Sequence, residues 1–214
     1  MADNGVQPRR EQILDAALAL ADEHGLAAVT MRAVANRVGV SPMALYPHVG
    51  GKDGLLDGIV DRMLAELLPA VTTAGDAETR VFALARAARA LARRHPTAYA
   101  LLLSRPSITP DAVRVVDAFY AALLELGVPP AEVPRVERLL STFALGYATS
   151  EVNGRFTSAN PRGSRGRLDP AEFPAHHSLA KVLAGAADWD AEYEADLADL
   201  RLLIRTRWGG PATR

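Results

Sequence analysis

Apolar residues recur at three- and four-residue spacing along almost the whole chain, and runs of alternating β-branched residues are missing. That period matches the turn of an α-helix and cannot line one face of a strand, so the chain is restricted to an all-α fold. Proline, glycine and capping residues then mark where the helices begin and end. A first helix fits Arg9 to His24, with Ile13, Leu14, Ala17, Leu18 and Ala21 on one face and Gly25 as its stop. Thr30 caps a second over Met31 to Val38, which Gly39 closes. Ser41 is a good N-cap, and Pro42 at the first helical position starts a third where its missing N–H costs nothing. A fourth is expected from Asp53 to Leu68, ending at Pro69.

Longer helices with broader apolar faces follow: Glu78 to His95, Thr97 to Ser104, Asp111 to Leu126 and Pro130 to Asn153. Residues 154–174 bring four Arg, three Gly and three Pro with almost nothing apolar, the composition of a mobile loop. A short helix near Ser178 to Ala184 and a last one from Asp188 to Trp208 complete the chain. At 214 residues and 49% hydrophobic content it can bury a real core. The sequence lacks cysteine, which removes disulfides, thiolate metal sites and thiol nucleophiles together. A polar N-terminus and the absence of any apolar run near the roughly 20 residues of a membrane span make a cytosolic protein with no membrane partner the expectation.

Charge has to be read locally, because 24 Lys and Arg nearly balance 25 Asp and Glu. Helices two and three, joined through the Val38-Gly39-Val40 corner, match a helix-turn-helix: glycine permits the tight turn, and Ala35, Val40 and Leu45 lock the crossing. Such pairs also occur in proteins that never touch DNA. The segment between Glu23 and Asp53 has no acidic residue but carries Arg32, Arg37 and Lys52, so it lacks the charge that phosphates would repel.

The stretch from Ile13 to Leu64 resembles the DNA-binding domain of the TetR family of bacterial repressors, and LYPHVGGKDGLLD within it is similar to the tetracycline repressor's reading head. The resemblance implies a helix-turn-helix domain over residues 9–52 and a helical effector-binding and dimerisation domain over 53–208. It implies a homodimer that binds palindromic double-stranded operator DNA as a repressor and is released by a small-molecule effector. Arg32 matches a position that reaches a base edge, where it can donate two hydrogen bonds to guanine. Pro42, Met43 and Ala44, opening helix three after the Ser41 cap, match positions that meet bases and could touch thymine methyl groups. Tyr46, His48 and Lys52 match phosphate contacts, and Thr30 can bond a phosphate at a helix start. Arg9 and Arg10 could add nonspecific attraction. Pro47 departs from the pattern: inside a helix it removes one hydrogen bond and crowds a carbonyl, so helix three should kink or finish near Tyr46.

Downstream, the resemblance implies an effector site within the bundle. Its candidate ligand-binding residues are Phe82, Tyr99, Phe119 and Tyr120, with Phe143, Tyr147 and Glu151 on the following helix; more of these are plain core than ligand contacts. Dimerisation falls to Val136 to Glu151, apolar on more than one side, and to Leu197, Leu200, Leu203 and Ile204 of the last helix. The segment around Leu101 offers no histidine to match the magnesium site of the tetracycline repressor, which argues against tetracycline as the effector. An enzyme is not expected. The five histidines show no HExxH spacing, no Glu-x-x-His pair and no phosphate loop, and neither a metal nor a cofactor is implied.

Overall fold

The computed structural model describes residues 10–73, 75–105, 109–155 and 169–208, with no strand among them. Helix α1 (Arg10–His24) buries Ile13, Leu14, Ala17, Leu18 and Ala21, the apolar stripe of its sequence. Burying each Leu or Ile stabilises the fold by about 1.5–3 kcal/mol, and α1 lays this stripe on α2 (Met31–Val38) and α4 (Lys52–Thr72). The Thr30 hydroxyl accepts a hydrogen bond from the Ala33 amide at 3.1 Å and so caps α2. Gly39 closes α2 with φ 81°, a left-handed corner that a side chain would strain.

Helix three is one helical stretch of two types. Pro42–Leu45 form a tight 3₁₀ turn, which passes into α3 (Tyr46–Val49). The helix does not finish near Tyr46 but changes type there, and Pro47 falls in the first turn of the α segment, where an amide hydrogen has no partner to lose. Gly50 ends α3 with φ 68°, and its amide donates to the Tyr46 carbonyl at 2.8 Å.

Helix α4 runs through Pro69 and stops at Thr72, past the expected end. The last turn earns its continuation by burying Val71, while the Thr72 and Thr73 hydroxyls donate back to the carbonyls of Leu68 and Pro69. This long helix touches α1 and α3 at one end and α5 (Ala77–Arg94) and α7 (Pro110–Glu125) beyond them. The short α6 (Leu101–Ser104) leads to α7, and α8 (Val133–Val152) packs on α5. The expected loop over 154–174 lies mostly outside the described residues; where the chain is described again, Pro174–Ser178 forms α9 and Ala180–Leu183 forms α10.

The last helix, α11 (Trp189–Trp208), corrects part of the expected dimer face. Leu197 and Ile204 are buried within the chain's own core, and Leu200 packs against it. Leu203, at 45%, stays exposed as expected, and Leu202, at 63%, joins it. Twenty helical residues present two faces, and the side facing α5 and α8 took the residues that the period alone could not apportion.

Candidate DNA-reading face and effector cavity

The helix-turn-helix leaves most of the side chains expected to meet DNA exposed. Arg32, Ser41, Pro42 and Lys52 are solvent-exposed, Ala44 is half-buried, and Met43 is 73% and Tyr46 46% exposed. Exposed apolar and cationic side chains on a helix-turn-helix are of the kinds suited to a groove offering methyl groups and phosphates. Leu45 and Val49, on the opposite side of the same turns, are buried and anchor them. The Thr30 hydroxyl accepts the capping bond with its oxygen, so its O–H can still donate to a phosphate beside the helix-start amides.

Two basic residues are engaged elsewhere. Arg37 forms a two-point ion pair with Glu23, at 2.6 and 2.5 Å, so its charge is answered within the head. Arg10 reaches Asp61 of α4 at 3.3 Å, which turns it from a stray cation into a tie between α1 and α4; Arg9 lies outside the described residues. His48 is half-buried and lines a polar cleft of about 690 Å³ with Arg10, Asp57, Asp61, Arg105 and Thr109.

Gly54 holds the head on α4. A Cβ built there would lie 1.8 Å from the Val49 carbonyl oxygen, so only glycine lets the first turn of α4 pass that backbone. A few residues on, the same helix becomes a cavity wall. Val60, Leu64 and Leu67 of α4 face Phe82 and Ala88 of α5, Val115 and Phe119 of α7, and Leu140 and Ala144 of α8 across a space of about 330 Å³. Protein interiors rarely keep voids much larger than a water molecule, and a space of this size, apolar with a few polar groups, is the form of a small-molecule site.

Of the seven expected ligand residues, Phe82 and Phe119 line this cavity and the others do not. Tyr99 is 1% exposed and sits at a separate polar hollow with Thr97 and Thr149; burial pushes its hydroxyl's pKa up. Tyr120 is half-buried against the core. Phe143 stacks on Tyr193 with ring centres 5.6 Å apart, and Tyr147 stands edge-on to Trp189 at 5.2 Å and donates its hydroxyl to the Trp189 carbonyl at 3.1 Å. Desolvation raises the Tyr147 pKa to about 12, despite the Arg89 cation nearby.

Glu151 is occupied by protein. Arg89 donates to it twice, at 2.7 and 2.9 Å, and Arg93 adds bonds at 2.9 and 2.5 Å. Burial alone would raise its pKa, but the hydrogen bonds and charges of the two guanidinium groups outweigh burial and hold it below the usual carboxylate value. The Arg89 guanidinium also lies 4.7 Å from the Tyr193 ring centre. This cluster ties α11 to α5 and α8. The physical reason for the misplacement is that aromatic and polar residues on interior helix faces serve packing and ligand contact alike, and periodicity cannot separate the two.

The sequence reading missed Arg105. It follows α6, contributes to the cavity wall, and reaches back to Asp53 at 2.9 Å and Asp57 at 2.6 Å on α4. Nearby, Thr109 donates to the buried Asp61 carboxylate at 2.7 Å. The one available signal was the i, i+4 spacing of Asp53 and Asp57, which puts two carboxylates on one helix face without naming their partner. Among the described residues, no cluster could hold a metal ion, and no helix is long and apolar enough to cross a membrane.

Comparison with known proteins agrees with this arrangement. Residues 13–59 match the model of bacterial regulatory proteins of the tetR family, and residues 81–168 match that of the tetracyclin repressor-like C-terminal domain. An HTH-type transcriptional regulator of Saccharopolyspora erythraea is 28% identical over 189 residues, covering 86% of this chain and 79% of the relative. The HTH-type transcriptional repressor DrrR1 of Streptomyces coeruleorubidus is 30% identical over 159 residues; 70% of this chain and 59% of DrrR1 are covered. Apo ActR from Streptomyces coelicolor superposes with a TM-score of 0.80 at 24% identity, over 94% of this chain and 97% of ActR, and ActR has also been solved in complex with actinorhodin. Head and bundle match in succession along one chain, and the protein belongs to the TetR family of transcriptional regulators.

Proposed function

We propose that this regulator is a cytoplasmic repressor whose homodimer binds a palindromic operator through residues 9–52 and is released when a small effector enters the bundle of residues 53–208. The observation that carries the reading is the continuity of α4: one helix starts beside Lys52 in the head and supplies Val60, Leu64 and Leu67 to the cavity wall. A ligand that favours a displaced α4 changes the tilt of the two heads, which then no longer fit successive major grooves. A coupling of about 1–3 kcal/mol lowers operator affinity roughly 5- to 150-fold. Support comes from DrrR1, a repressor by name, and from ActR, a fold neighbour that holds actinorhodin. The exposed Leu202 and Leu203 on α11 support pairing with a second copy.

In this reading Arg32, Ser41, Pro42, Met43 and Ala44 meet the bases, while Thr30, Tyr46, His48 and Lys52 meet the backbone. Phe82 and Phe119 face the effector. Operator binding measured across a salt series tests the assignment. Arg32→Ala is expected to cost about 1–3 kcal/mol on the preferred sequence and to relax base preference at one position. Lys52→Ala should weaken all sequences alike and reduce the salt slope by about 1. Binding that ignores both changes overturns the proposal.

A further inference from the structure

The cavity is not electrically neutral. Two ionic side chains stand on its wall, Arg105 and Glu137. The guanidinium of Arg105 is spent: Asp53 and Asp57 take it at 2.9 and 2.6 Å, and the Asp53 carbonyl accepts a further bond at 3.3 Å. Glu137 of α8 is half-buried and makes no ion pair or hydrogen bond among the described residues. Ser141, one turn along, only turns its hydroxyl back to the Arg138 carbonyl at 3.4 Å. The remainder is aliphatic or aromatic, including Phe82 and Phe119.

We infer that the effector is an amphipathic cation, an apolar body carrying one protonated amine or quaternary nitrogen that is seated against Glu137. A half-buried carboxylate facing an apolar space has lost part of its hydration without receiving a partner, and a cationic ligand restores the missing charge. An anionic ligand would meet Glu137 repulsively and would have to draw Arg105 from two aspartates. Phe119 adds an aromatic wall whose ring attracts positive charge, whereas the Phe82 ring already meets the Arg201 guanidinium 4.9 Å from its centre. This inference rests on the cavity being the effector site and adds the charge class of what enters it.

Three ligands of one shape and different charge provide the test: 6-phenylhexylamine, 6-phenylhexanol and 6-phenylhexanoate, titrated calorimetrically into the full-length protein and into Glu137→Gln. The amine should bind wild type at least about tenfold more tightly than the alcohol, or about 1.4 kcal/mol, and the carboxylate more weakly than either. In Glu137→Gln the amine should fall to the affinity of the alcohol. Alcohol binding with no gain for the amine overturns the charge class and leaves the cavity reading standing. Failure of all three ligands to bind overturns both. A carboxylate that binds best, or an amine preference that survives Glu137→Gln, overturns the inference, and the wild-type comparison decides even if the variant does not fold.

Discussion

Removing Glu151 should destabilise the bundle more than it disturbs any ligand. Glu151 and Arg89 have side chains only 10% and 8% exposed, joined by two hydrogen bonds, so Glu151→Ala strands a guanidinium that cannot turn to water. Breaking one side of a buried pair costs about 3–5 kcal/mol. The lower end, ~3 kcal/mol, applies here because Asp190 still reaches Arg89 at 2.9 Å and the half-exposed Arg93 can rehydrate. At about 2–4 °C per kcal/mol for a chain of this size, Tm should fall by roughly 6–12 °C in thermal unfolding at fixed protein concentration. The double variant Arg89→Met with Glu151→Leu should recover most of that loss, since an apolar pair of similar volume needs no desolvation. The pH dependence follows from the sign of the shift. The folded pKa of Glu151 lies below the ordinary 4.5, so its contribution is fully present above that value and is lost as pH falls through the folded value. The gap between wild type and Glu151→Ala should therefore be full at pH 7 and shrink below 4.5. A Tm loss under ~2 °C, equivalent to about 1 kcal/mol or less where ~3 kcal/mol is expected, would refute the structural role. An altered effector response alongside it would return Glu151 to the ligand site.

Two further substitutions probe the path between head and cavity. Gly54→Ala places a methyl 1.8 Å from the Val49 carbonyl, and no rotamer can relieve a clash with backbone. Overpacking of this kind costs about 1–3 kcal/mol, and operator affinity should drop more than about tenfold with helical content by circular dichroism unchanged. Arg105→Ala acts on communication. Its partners Asp53 and Asp57 are 91% and 51% exposed, so the ion pairs are worth only about 1 kcal/mol or less to stability. A loss of that size from the coupling should cut effector-induced operator release, read by fluorescence anisotropy, by about fivefold while Tm moves little.

Legibility followed the range of the interaction. Thr30 capping Ala33, Gly39 and Gly50 closing their helices, and Pro42 opening the next are contacts within four residues. The same short range explains why Pro69 misled: a proline signals a stop locally, but the burial of Val71 two residues later carried α4 onward. The reading head was legible because a helix-turn-helix is held together largely by such local terms and one small apolar corner. His48 was the exception, since its facing depends on α4 and on Arg105 more than 50 residues away.

The amino-acid order thus carried the helical class, the helix boundaries near caps and glycines, and the family resemblance of the head, because backbone hydrogen bonding and steric limits act between neighbours. Packing assigned everything that rests on distant pairs: Arg105 to Asp53 and Asp57, Arg89 to Glu151, Leu197 and Ile204 to the core in place of the surface, and Glu137 to the edge of an apolar space. A helix of 20 residues has more than one apolar face, as α8 and α11 do. Its period says that a side chain points inward or outward along the helix, and only the positions of the neighbouring helices settle whether that direction meets core, cavity or solvent.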